Sequence, residues 1–127
     1  MFLEPRGLVI RVSSKFLMQE LEDRGAIRLD NDLLAIPEGL LPLLRNHSKS
    51  ISVVGPLNDE FMEALISRLE EIRRSLLKEM EIGHNPEEIT RKVKLFDVIS
   101  SSFGIESNLL AVWLKKTERI SFMQPSD

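Results

Sequence analysis

Residues 58 to 82 read NDEFMEALISRLEEIRRSLLKEMEI, the longest helical pattern in this chain of 127 residues. Apolar residues recur there three and four positions apart, the spacing that places side chains on one face of an α-helix. We call this set the long-helix stripe: Met62, Leu65, Leu69, Ile72, Leu76 and Met80. Acidic and basic residues fill the other faces, so the helix is predicted to pack its stripe against other helices.

Two further helices are predicted after the long one. Gly83 is a stop signal, and Asn85-Pro86 restarts a helix as a cap residue followed by proline in the first turn. That helix is expected over residues 86–102. Gly104 then breaks the pattern, and a third helix is expected over 106–118.

The chain has a mixed character before Gly55-Pro56, with β-branched runs and turn residues. This pattern predicts four short strands, a helix that ends near Arg24 and a second short helix. The strands are predicted at residues 8–12, 26–29, 33–36 and 51–54. The predicted fold is therefore α+β and mainly α. A small N-terminal α/β part, a short sheet plus a helix, occupies residues 1–56, and a three-helix bundle with an interaction role occupies 57–127. The two parts can also form one compact domain.

Composition excludes several classes of protein. The chain is 43% hydrophobic and 29% charged, which is typical of a soluble globular protein. It has no run near the roughly 18 apolar residues of a membrane-spanning helix, and no signal-peptide pattern. The absence of cysteine excludes disulfides, thiolate catalysis and cysteine-bound zinc. We therefore expect a cytoplasmic protein that does not enter membranes.

Residues with chemical reactivity are scattered. The two histidines, His47 and His84, lie in predicted loops without a carboxylate pair at metal-ligand spacing. The six glycines form no phosphate-binding loop. We predict no catalytic, cofactor-binding or metal-binding residue, and a protein that is not an enzyme.

Charge is unevenly distributed along the chain. Residues 57–88 carry four bases and nine acids, whereas residues 91–119 carry six bases and three acids. The overall charge of −3 argues against tight, non-specific DNA binding, which requires neutralisation of phosphates. The basic end, which includes Lys115 and Lys116, leaves weak nucleic-acid binding open.

Residues 17–29 read LMQELEDRGAIRL and are followed by a predicted hairpin and IPEGL at 36–40. This order resembles the end of a winged-helix domain: recognition helix, glycine, strand, wing and second strand. The resemblance implies that the helix enters the major groove of DNA. Its exposed residues would then be DNA contacts, with Arg28 near the wing; these residues are Ser13, Ser14, Lys15 and Gln19.

The same stretch also resembles the small domain of GINS replication-complex subunits. In that family an aromatic residue starts a helix, a leucine follows five residues later, and strands come next; Phe16, Leu21 and residues 27–29 stand in this relation. A small α/β part followed by a helical part is similar to the order in some GINS subunits. The resemblance implies helices that pack against partner subunits and carry no catalysis.

Residues 96–116 have spacings similar to a helix-turn-helix, with Ser100 four positions before Gly104. The second helix of this pair, however, reads LLAVWL over 109–114 and is apolar on nearly every side. This composition is typical of a helix packed in a bundle, with Trp113 as a core or interface anchor.

Taken together, the sequence predicts a non-catalytic interaction or assembly subunit, in a nucleic-acid-related complex of replication or transcription. Its partner would be another protein or a second copy of itself. The predicted interface is the long-helix stripe together with Trp113. The alternative is a DNA-binding transcriptional regulator of the winged-helix or helix-turn-helix kind, whose candidate nucleic-acid contacts are Lys15, Arg28, Lys115 and Lys116.

Overall fold

The computed structural model describes residues 7–47, 49–83 and 85–123, and their side chains as far as residue 118. The predicted loop position of His84 lies outside the described residues. The elements, in chain order, are strand β1 (Gly7–Val12), helix α1 (Lys15–Asp23), strands β2 (Ile27–Arg28) and β3 (Leu33–Pro37), a 3₁₀ helix (Glu38–His47), strand β4 (Ile51–Pro56), and helices α2 (Asp59–Ile82), α3 (Pro86–Ser102) and α4 (Leu109–Met123). This arrangement confirms the predicted α+β, mainly helical class. No helix in these ranges combines the length and apolar character needed to cross a bilayer.

The four strands form one antiparallel sheet in the order β2-β3-β1-β4. Val9 of β1 is opposite Ala35 of β3, which in turn is opposite Ile27 of β2. Because paired residues point to the same side of a sheet, these three side chains form an apolar row on one face.

Strands β1 and β3, in the middle of the sheet, carry buried apolar residues on both faces, whereas edge strand β4 is largely exposed. The row of Val9, Ala35 and Ile27 belongs to a core that it shares with α2, α3 and α4. The opposite face, centred on Ile10 and Leu34, packs against α1 and the 3₁₀ helix in a second core. The first core contains side chains from both predicted parts of the chain, so the sheet and the helical layer are packed on one another.

Local signals place the ends of α1 and α2. Ser14 Oγ accepts a hydrogen bond from the Leu17 N–H and so caps the start of α1. Asn58 does the same for α2 through the Phe61 N–H. At the end of α2, Gly83 adopts a φ of +69° and its N–H donates to the Glu79 carbonyl, a geometry that costs glycine little.

The turn between α3 and α4 is a Schellman motif. Gly104, with a φ of +78°, donates its N–H to the Ser101 carbonyl, and the Ile105 N–H donates to the Ser100 carbonyl. These bonds satisfy carbonyl groups that the end of α3 would otherwise leave unpaired.

Helix α4 begins at Leu109, three residues later than the sequence predicts, and it extends to Met123. The start is set by Asp97 on α3. Its carboxylate accepts hydrogen bonds from the backbone N–H of Leu109 at 3.2 Å and of Leu110 at 2.9 Å, and from the Ser107 hydroxyl. A negative charge at this position also favours the helix dipole. Asp97 therefore fixes where α4 starts and how it sits on α3.

Replacing Asp97 by Ala should destabilise the protein by about 2 kcal/mol, because two helix N–H groups lose a charged acceptor. Chemical denaturation followed by circular dichroism would measure the loss. Glu106→Ala is the matched control, since it removes the same charge from an exposed neighbouring position. Equal stability of the two variants would contradict this role of Asp97.

Candidate protein-docking site

The long-helix stripe lies in the protein's own core. Leu65, Leu69, Leu76 and Met80 are at most 6% exposed, and Met62 and Ile72 pack partly buried against the same cluster. This corrects the prediction that the stripe is an interface for a partner. The sheet face and α3 already cover it, so a second protein would have to displace them.

Trp113 is also a core residue and not an interface anchor. Its side chain is 1% exposed in the cluster shared by the sheet and the helices. Its indole Nε1–H donates to Thr90 Oγ1 at 2.7 Å, and the Thr90 hydroxyl donates to the Pro86 carbonyl at 2.8 Å. This short relay joins α4 to the first turn of α3.

The four candidate nucleic-acid contacts do not form one surface. Lys15 starts α1, whose buried side chains cover one face of the sheet. Lys115 and Lys116 belong to α4, whose buried side chains Leu109 and Trp113 are part of the core on the other side of the sheet.

Arg28, the fourth candidate, is engaged within the chain. Its Nε lies 3.0 Å from Glu22 Oε1, and its Nη2 donates to Glu22 Oε2 at 3.3 Å. The backbone carbonyl of Arg28 accepts a hydrogen bond from Arg68 Nε at 3.2 Å. A phosphate would therefore compete with Glu22 for this guanidinium.

An apolar groove opens between α2 and α3 beside β2. It has a volume of about 200 Å³. Its buried floor is made by Ile27, Leu69 and Phe96, and half-buried Ile72 and Ile99 stand on its sides. A closed apolar cavity of about 150 Å³ holds a benzene molecule, so this groove can admit one or two aliphatic side chains.

The exposed side of α3 continues from the groove. We call it the α3 face: Arg91, Lys94, Leu95 and Val98, which share one side of the helix at spacings of three, four and seven residues. Leu95, which also lines the groove, is 53% exposed, and Val98 is 64% exposed. The α3 face therefore meets the groove at Leu95, and exposed Val98 lies one turn further along the helix, outside the groove.

Lys92 stands at one end of the groove. Its Nζ lies 2.9 Å from Glu79 Oε1 on α2 and 3.6 Å from Glu88 Oε1. The hydrogen bond to Glu79 is the main cause that raises the pKa of Lys92 above its ordinary value of 10.5. This cation is therefore occupied in bridging α2 and α3.

Sequence reasoning missed Leu95 and Val98. The signal was present, because both lie off the apolar spacing of Ile89, Val93 and Phe96 that buries α3. An apolar residue outside the buried stripe of a helix is a candidate for a second contact.

No protein-family model, no curated protein and no solved structure matches this chain. Within the described ranges, no three carboxylate or histidine side chains converge as a metal site would require. A function is therefore to be inferred from the groove and from the α3 face.

Proposed function

We propose that this protein is a non-catalytic interaction subunit that docks another macromolecule through the α3 face and the adjoining groove. The observation that carries the proposal is the exposure of Leu95 and Val98 beside an apolar concavity. Single exposed aliphatic residues are ordinary, but grouped ones next to a groove are typical of protein contact sites.

The contrast with the rest of the helical layer supports this reading. Most stripe residues of α2 are buried, and the α3–α4 contact is closed by Trp113 and by the cap from Asp97. Leu95 and Val98 stay exposed after this packing, as do Ile66, Ile82 and Leu114, but of these five only Leu95 lines the groove. Their transfer from water into a partner's surface would contribute about 25 cal/mol per Å² of apolar area.

The cellular setting is a part of the proposal that rests on the sequence. The resemblance to GINS subunits favours a complex of nucleic-acid metabolism. The absence of cysteine is compatible with a reducing compartment such as the cytoplasm.

Co-purification from the source cells tests the proposal with a matched pair of variants. Val98→Asp should lose a stoichiometric partner that the wild-type protein retains, because a carboxylate replaces an aliphatic side chain at the contact. Val53→Asp is the control, since Val53 on β4 is the same residue type with the same exposed fraction of 64%. Both variants should keep the wild-type circular dichroism spectrum. Equal recovery of the partner by the two variants would refute the proposed docking site.

A DNA-binding role makes a different prediction. It requires a mobility shift of duplex DNA that weakens steeply with salt and depends on Lys115 and Lys116. The structure distributes the basic candidates over both layers, so we place the protein-docking role first. A salt-sensitive shift that is unaffected by Val98→Asp would reverse this order.

A further inference from the structure

The cations of the α3 face lack partners within the described chain. Arg11, Arg24, Arg28, Arg68, Arg74 and Lys92 each lie within 4 Å of a carboxylate oxygen, whereas other described cations, Arg73, Lys115 and Lys116 among them, have no such neighbour in the described part of the chain. Neither Arg91 nor Lys94 has a carboxylate oxygen within 4 Å among residues 7–47, 49–83 and 85–118.

The acids of α3 are placed away from Leu95 and Val98. Asp97 is used to cap α4, and Glu88 is paired with Lys92. Glu87 lies one turn before Arg91 on the same side of α3 and lines a surface pocket with it, but it is two turns or more from Leu95 and Val98. The apolar pair is therefore bordered by Arg91 and Lys94, and its nearest charged surroundings on this side of α3 are positive.

We infer that the groove and the α3 face bind an acidic amphipathic helix of another protein. In this arrangement, which rests on the proposed function, the aliphatic stripe of the partner helix enters the groove over Ile72 and Ile99. Carboxylates beside that stripe reach Arg91 and Lys94. A helix laid in a groove through such a stripe is a recurrent mode of recognition, and opposite charges at its rim set orientation and partner choice.

Two other occupants fit the surface less well. A second copy packed α3 against α3 would bring another Arg91 and Lys94 into the same contact, which adds repulsion between like charges. An anionic membrane surface would match the charge but not the shape. Peripheral membrane helices present a protruding apolar face, whereas most of the apolar surface of this site lies in a groove between two packed helices, with only Leu95 and Val98 on the exposed side of α3.

A display experiment tests the charge preference directly. The probe is a phage-displayed library of helices of about 18 residues, close to the length of α3. It carries a fixed leucine stripe at spacings of three and four residues, and its flanking positions are randomised among Glu, Gln and Lys. Selection on the full chain should enrich Glu at these positions. Selection on the Arg91→Glu/Lys94→Glu variant should enrich Lys instead.

Measured affinities should follow the same rule. The enriched acidic peptide should bind the Arg91→Glu/Lys94→Glu variant about tenfold or more weakly than wild type. The control Arg73→Glu/Arg74→Glu changes the net charge equally, at exposed positions on α2 outside the groove, and should bind like wild type. Leu95→Asp should abolish binding.

The outcomes separate the inference from the proposed function. If peptides bind through Leu95 and Val98 without preferring Glu, or if both charge variants bind alike, the acidic partner is refuted and the docking site stands. If no enriched peptide depends on Leu95 or Val98, both are refuted. If light scattering shows a dimer that Leu95→Asp dissociates, the occupant is a second copy. If the protein binds phosphatidylserine vesicles but no peptide, the occupant of the site is an anionic membrane surface.

Discussion

Leu69→Asp should abolish the folded state of the protein and not merely dissociate an assembly. Leu69 is 5% exposed, at the centre of α2 and within the core shared with the sheet. Truncating a buried leucine costs about 2–5 kcal/mol, and burial of an unpaired carboxylate adds several more. The sum is comparable with the roughly 5–15 kcal/mol that stabilises a typical domain. Circular dichroism should show a large loss of helix and no cooperative unfolding transition.

Leu95→Asp is the matched control, because it makes the same chemical change on the other helix that lines the groove. Leu95 is 53% exposed, so its replacement should change the free energy of unfolding by about 0.5 kcal/mol or less. The opposite result would be a Leu69→Asp variant that is folded, unfolds cooperatively and differs from wild type only in its oligomeric state. That result would restore the long-helix stripe as an intermolecular interface.

The helices of this protein could be predicted because their signals are local. Asn58 and Asn85 accept the N–H bonds expected of cap residues, Pro86 occupies the first turn of α3, and Gly83 takes the left-handed conformation at the end of α2. Each of these depends on a few neighbouring residues and on no distant contact. The spacing of the long-helix stripe likewise predicted correctly which side of α2 is apolar.

The spacing of the long-helix stripe did not show which residues cover the apolar side of α2. In the structure the cover includes Val9, Ala35 and Ile27 from the sheet. A signal for this existed, because Val9-Ile10 and Leu34-Ala35-Ile36 place apolar residues on both faces of their strands. Strands of that kind are buried on both faces. A sheet with two apolar faces needs two layers of cover, and in this chain the helical part is the available second layer.

Other features depended on contacts between distant residues. Asp97 looks like one of many surface acids in the sequence, yet it determines the start of α4, whose first two N–H groups lie 12 and 13 residues later. The spacing places Val98 off the buried stripe of α3, but it does not show whether a neighbouring helix covers that side; in the structure Val98 is 64% exposed. The sequence therefore predicted the elements well, whereas the surface that stays free after packing, on which we propose the docking site, could be identified only from the structure.

Trp113→Ala should destabilise the protein by about 3–5 kcal/mol, because it removes the largest fully buried side chain from the shared core. Denaturation followed by circular dichroism is the suitable measurement, since the chain contains one tryptophan and the variant has no indole fluorescence.

Two milder variants divide this effect into packing and hydrogen bonding. Trp113→Phe keeps an aromatic ring but loses the indole donor to Thr90, and Thr90→Val removes the acceptor while leaving the indole in place. Thr90→Val leaves the buried indole N–H without an acceptor, which costs about 1–3 kcal/mol, so this variant should be less damaging than Trp113→Ala. If Thr90→Val were as damaging as Trp113→Ala, the polar relay and not the buried ring would hold α4 on α3. If Trp113→Ala were nearly neutral, α4 would contribute little to the fold, and its own apolar face would then be available for a partner.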